Sequence, residues 1–225
     1  MGVSIDMKGS YDEFTLAVIE WMEEHGGVEA LALGYANIRW VGKGSARITY
    51  PFIHNGVHYV VKIPRSKRYM DYANYDEDSN SSYADGIYQS DSEIEVWERS
   101  NDEEKELLCP IVKYFYYQNL PIIVMPFVDF RSADADEDYI CGVGKYGECT
   151  KRCCECDDNI SFLGFLCKTL KIDFDEFFGR VYDLADRLCL SIVDITDNSG
   201  NIGIYDNRVV IMDYGLPNHY YESWY

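Results

Sequence analysis

The chain has 225 residues, 47% of them apolar and 15% aromatic, enough for a core and for one two-lobed domain or two small ones. Its net charge of −19 argues against direct nucleic-acid binding, which needs clustered Lys and Arg. No apolar run approaches the roughly 20 residues of a membrane span, and Met1 to Ser10 lacks the pattern of a secretion signal. The eight cysteines therefore read as reduced thiols of a cytoplasmic protein.

In chain order, residues 11–24 place Phe14, Val18 and Trp21 at helical spacing with acids between, so a core-facing helix is expected, stopped by His25-Gly26-Gly27. Residues 37–64 read as strands. Arg47 to Ile53 and Val57 to Ile63 should pair through His54-Asn55-Gly56, because Asn-Gly tolerates the positive φ of a tight hairpin. The polar stretch 69–90 reads as a surface insert, followed by a helix over 92–108 and strands over 111–117 and 122–127. The segment 131–158 is acidic and cysteine-rich, again an insert. Helices are expected at 160–170 and 173–191, the second with a buried stripe of Phe174, Phe177, Phe178, Val181, Leu184, Ala185, Leu188 and Ile192. A hairpin of 201–205 and 208–212, turning at Asp206-Asn207, closes the pattern. The expected class is α+β: a strand-rich part at 1–128 and a mostly helical one at 129–225.

Four features carry chemistry, and their order matters more than any one of them. Gly42-x-Gly44-Ser45 lies among strand residues, where small side chains let backbone N–H groups approach phosphate oxygens or simply make a turn. Lys62 sits in the apolar strand Val60-Val61-Lys62-Ile63; it either snorkels to solvent or has a charge partner. Glu93 shares a helix face with Trp97 and should look inward, whereas Glu95 points elsewhere. The last feature runs from Asp194 to Gly215. It contains Asp197 and Asn201 in a polar loop, then Asp213 at the exit of an apolar strand. An amide and a carboxylate from adjacent segments make a hard-oxygen site suited to Mg²⁺ with substrate phosphates.

Together these residues resemble those of protein kinases over about residues 37–215. Val41 to Ser45 looks like the glycine-rich loop, Val60 to Ile63 like the strand bearing the phosphate-binding lysine, and Glu93 like that lysine's helix partner. Val124 to Asp129 resembles the hinge, Asp194 to Asn201 the catalytic loop, and Asp213-Tyr214-Gly215 the Asp-Phe-Gly element. The compact size and the Ser-Gly-Asn-Ile-Gly run are most like kinase-like proteins of bacteriophages, which implies a protein-kinase-like two-lobed fold with a reduced second lobe, working in a host cytoplasm. By the resemblance, ATP is received by Gly42, Gly44, Ser45, Lys62, Glu93, Met125 and Phe127. Mg²⁺ is held by Asn201 and Asp213, and Asp194 or Asp197 orients the acceptor hydroxyl beside Lys62. The implied activity is phosphoryl transfer to Ser or Thr of a protein.

The match departs in places. Arg47 replaces the third loop glycine, and Ile192-Val193 stands where the family has His-Arg. Asn201 is seven residues after Asp194 and four after Asp197, where the family has five. Ten residues follow Gly215, so the helices that hold a peptide lie outside the resemblance. Two other readings stand beside it: a pseudokinase acting as an acidic binding or inhibitor protein toward a host protein, and a small-molecule kinase. Cys141, Cys149, Cys153, Cys154 and Cys156 could ligate a structural Zn²⁺ or stay unliganded. Cys109, Cys167 and Cys189 are expected in the core.

Overall fold

A computed structural model of the chain describes residues 11–43, 46–65, 86–128, 162–192, 195 and 201–215. Within these the fold is α+β, as expected. The chain divides into two compact units, Met1–Asp91 with Ile111–Phe127, and Ser92–Pro110 with Val128–Tyr225.

The first unit is built on a five-stranded antiparallel sheet: β1 (Gly42–Lys43), β2 (Arg47–His54), β3 (Val57–Pro64), β4 (Lys113–Tyr117) and β5 (Leu120–Pro126), in the order β1-β2-β3-β5-β4. Two-residue turns set the registers. Asn55 and Gly56 (φ 50° and 76°) join β2 to β3, and Gln118 and Asn119 (φ 50° and 65°) join β4 to β5. Positive φ at both central residues matches the right-handed twist of the strands. Because side chains alternate, Ile48, Tyr50, Phe52, Val61, Ile63, Phe115, Ile122 and Val124 share one face. That face is covered by α1 (Glu13–Glu24) and α2 (Gly27–Leu33), which contribute Val18, Met22, Val28 and Leu31 to the core. Each such side chain, fully buried, stabilises by about 1.5–3 kcal/mol.

Helix α1 starts where Asp12 accepts a hydrogen bond from the Thr15 N–H at 2.8 Å. Asp12 also pairs with Lys113 of β4, and the Tyr117 hydroxyl donates to Glu23 at 2.9 Å, so both ends of α1 are tied to the sheet. The Tyr50 hydroxyl donates to the Leu31 carbonyl at 2.8 Å, anchoring α2; burial pushes this phenol up to about 12. Helix α2 is not apparent from the hydrophobic pattern. It is only seven residues long and is bounded by Gly26 and Gly34, both left-handed.

The stretch read as an insert and a single helix differs from expectation. Residues 86–90 already belong to α3 (Gly86–Arg99), and a second helix, α4 (Asp102–Lys105), follows it. A capping box explains the break: Asn101 accepts from the Glu104 N–H while Glu104 accepts from the Asn101 N–H. Residues 66–85 lie outside the described residues, as do the acidic segment 129–161 and its Cys141–Cys156 cluster. The division into units falls within α3, so residues 92–110 group with the second unit.

In the second unit α5 (Phe162–Leu170) and α6 (Phe174–Leu188) accompany the hairpin of β6 (Ile202–Tyr205) and β7 (Arg208–Ile211). The α6 stripe buries Phe177, Val181, Leu184, Ala185 and Leu188 as expected, but Phe174 is 39% exposed. Phe174 is the first residue of the helix, after the Asp173 cap, and it stacks on Phe178 rather than entering the core. Cys109 and Cys167 are buried, whereas Cys189 is exposed, because it caps α6 in the left-handed conformation. Arg187 grips Glu104 of α4 with two hydrogen bonds, and Arg180 reaches the Glu103 carbonyl at 3.0 Å.

Candidate functional site

Lys62 stands in β3 between Thr49 of β2 and Ile123 of β5. Its neighbours Val61 and Ile63 point into the α1–α2 core, so alternation turns Lys62, Thr49 and Ile123 to the opposite face. Lys62 is 6% exposed there, which removes the snorkelling alternative. Burying an ammonium group is costly, and Lys62 has an interaction partner. Val60 and Met125 pair one step along on the same face. Met125 is buried, while Phe127, whose N–H donates to the His58 carbonyl at 3.1 Å, is exposed. Gly42 pairs with Thr49 at the sheet's β1 edge. Gly44 and Ser45 lie outside the described residues. Arg47, at the third-glycine position, is a buried β2 residue opposite Pro64.

The second unit holds the other candidates. Glu93 is fully buried on α3, and Glu95 is exposed in an ion pair with Arg99 at 2.8 Å, matching the predicted split of the helix faces. Asn201 and Asp213 come together at the open end of the β6–β7 hairpin. The turn at Asp206 and Asn207 (φ 48° and 61°) sets a register in which Ile202 faces Ile211. One step further the Met212 N–H donates to the Asn201 carbonyl at 2.6 Å, so Asp213 follows directly on the residue bonded to Asn201. Asn201 is buried and Asp213 half-buried, and each has an interaction partner. Asp194 and Asp197 lie outside the described residues. Among the described residues there is no cluster of three or more His, Cys, Asp or Glu. An amide and one carboxylate are the complement Mg²⁺ accepts when phosphates complete its shell.

Sequence reasoning missed what holds Asp213 in place. Leu108 bridges Ile211 in parallel: the Cys109 N–H donates to the Ile211 carbonyl and the Ile211 N–H to the Leu107 carbonyl, both at 2.8 Å. Just beyond Asp213, Tyr214 is buried and its hydroxyl donates to the Cys109 carbonyl at 3.1 Å. The signal was present in the sequence, since a tyrosine in an otherwise apolar slot needs a partner for its hydroxyl.

In chain order, α3 between β3 and β4 and a hairpin leading into Asp213-Tyr214-Gly215 follow the elements expected from the sequence. Compared with protein-family models and with curated proteins, the sequence matches none. Among solved structures, the chain is similar to that titled Rad53 1-466 in complex with AMP-PNP, over 78% of this chain at 18% identity and a TM-score of 0.41. The present chain spans 36% of that one. At that distance no residue's role carries across, and the assignments rest on this chain's own topology.

Proposed function

We propose that this protein binds ATP with Mg²⁺ and transfers the γ-phosphoryl group to an alcohol, with Ser or Thr of a protein as acceptor. The observation that supports the reading is the main-chain hydrogen bond from the Met212 N–H to the Asn201 carbonyl, at the end of the hairpin where Asp213 follows Met212 in sequence. In this reading Lys62 engages the phosphates, Met125 and the residues after it receive the base, and Asn201 and Asp213 hold the metal. Asp194 or Asp197 orients the acceptor hydroxyl. Bound Mg²⁺ would neutralise charge developing on the phosphoryl oxygens; the protein's share is positioning. The bacteriophage kinase-like proteins are the subgroup we propose, with the cytoplasm as the place of action.

A thermal-shift titration tests the nucleotide premise. A ligand that binds only the folded state at a hundredfold excess over Kd stabilises by about 2.7 kcal/mol, or about 5–10 °C in a chain of this size. The expected result is such a rise for wild type with ATP and Mg²⁺, and none of the Mg²⁺-dependent part for Asp213→Ala. No rise in wild type would remove the reading.

The net charge of −19 favours a second reading, an acidic binding protein whose kinase-like scaffold occupies a basic surface of a partner. In that case Lys62→Ala and Asp213→Ala bind the partner as well as wild type does.

A further inference from the structure

The geometry points to the turn Asn55-Gly56 as a covalent modification site: Asn55 deamidates spontaneously through a cyclic imide, with the His54 imidazole serving the leaving nitrogen. The inference stands apart from the proposed phosphotransferase activity and uses none of its residues.

Asparagine is among the thermolabile side chains, because the main-chain nitrogen of the next residue can attack its side-chain carbonyl carbon. Asn55, Asn119 and Asn207 all sit in two-residue turns with positive φ (50°, 65° and 61°). Asn55 takes the first turn position and the other two take the second. The residues after Asn119 and Asn207 are therefore Leu120 and Arg208, which pair with Tyr117 and Tyr205 to close their ladders. Their N–H groups are engaged by the partner strand, and their side chains crowd the approach. The residue after Asn55 is Gly56, which lies outside the ladder, since β2 ends at His54 and β3 begins at Val57. Asn55 and Gly56 are both exposed, and a Cβ at Gly56 would meet nothing within 4 Å. The attacking nitrogen is thus unhindered and uncommitted to strand pairing.

His54 supplies the second element. Its ring stacks on Phe52 at 6.0 Å and meets Phe14 edge-on at 5.3 Å, contacts that fix its plane. Its Nε2 lies 3.1 Å from Asn55 Nδ2, the atom that must depart. In the reaction the Gly56 nitrogen loses its proton and bonds to Asn55 Cγ. The Cγ–Nδ2 bond breaks, and Nδ2 takes up a proton and leaves as ammonia. Imidazole exchanges protons with water near neutral pH, so a ring protonated at Nε2 delivers that proton in place. Water then opens the imide at either carbonyl, giving aspartate or isoaspartate. Both replace a neutral amide by a negative charge. Isoaspartate also routes the main chain through the side-chain carbon, lengthening a turn whose fit depends on having two residues.

The test is peptide mapping by mass spectrometry of the full chain incubated at neutral pH, followed over time. In wild type the Ile48–Lys62 peptide should convert from amide to acid and appear as two products, while Asn119 and Asn207 keep their amides over the same period. His54→Phe retains an aromatic ring against Phe52 and Phe14 but has no ring nitrogen. It should slow the conversion by about tenfold, less than the ~10²–10⁴ supplied by an enzyme's positioned acid. Conversion of Asn55 no faster than that of Asn119 or Asn207 would overturn the site. An unchanged rate in folded His54→Phe would remove His54 from the reaction and overturn the inference as stated. Should His54→Phe not fold, His54→Gln, which also lacks the imidazole, provides the same comparison.

Discussion

At the scale of single residues, the sheet and the hairpin spend stability at different places for different reasons. Lys62 occupies a buried position where an aliphatic side chain of similar length would avoid the desolvation of an ammonium group. Its interaction partner offsets part of that cost. Gly203 is the opposite case, a residue dictated by space. A Cβ at this point of β6 would lie 2.5 Å from Val128 Cγ1 and 3.2 Å from Met212 Sδ. Gly203→Ala is therefore expected to destabilise by about 1–3 kcal/mol, visible as a lower urea midpoint. An unchanged midpoint would show that Val128 and Met212 move aside at no cost.

At the scale of elements, three two-residue turns with positive φ at both positions set the strand registers, and side-chain caps set the helix ends. Asp12 does two of these jobs, capping α1 and pairing with Lys113. The hydrogen bond from Lys113 and those from Thr15 hold its carboxyl well below the usual carboxylate range. An acid with a depressed folded-state pKa stabilises fully above its unfolded value, about 3.9, and loses that contribution as pH falls through the folded value. Denaturant midpoints at about pH 3 and pH 6 should then converge for wild type and Asp12→Asn as the pH is lowered, with wild type the more stable at pH 6. A gap between them that does not narrow would mean that the carboxylate charge adds nothing to the cap. Glu104 behaves similarly in the second unit: burial raises its pKa, but the hydrogen bonds from Arg187 and Asn101 outweigh that and lower it.

For the whole molecule, the net charge and the candidate site lead to separable expectations. A phosphotransferase should move the γ-phosphate of ATP to a protein acceptor in the presence of Mg²⁺, and Asp213→Ala should lower that rate by at least about a hundredfold, the scale of losing a preorganised electrostatic group. Radiolabelled transfer to itself or to a lysate measures it. Nucleotide binding by wild type without any transfer would favour the acidic binding protein instead, whose partner affinity should fall as salt is raised. No helix among the described residues is long and apolar enough to cross a membrane.

Local chemistry alone made several features readable from the sequence. Asn55-Gly56 and Asp206-Asn207 announce their turns because few residues accept positive φ, and α6 shows its face because burial repeats every three or four residues. The inward face of Glu93 followed from helical spacing to Trp97, and the pairing of Asn201 with the Asp213 end followed from the hairpin. Other features depended on distant parts of the chain. Helix α2 is too short to show a period, and Phe174 is apolar yet lies at a helix end beyond the core. Whether Lys62 faced solvent or protein was undetermined from β3, because both sheet faces look equally apolar until α1 and α2 are seen to cover the other one. That the Tyr214 hydroxyl needs a partner is readable from its apolar slot, but which partner is not, since Cys109 lies 105 residues earlier. The sequence by itself determined the turns, the helix faces and the ordered set of chemistry-bearing residues, since these depend on neighbours a few positions away. Only the tertiary structure decided which charges are buried and what fixes the Asp213 segment, since burial and long-range hydrogen bonds depend on which elements meet.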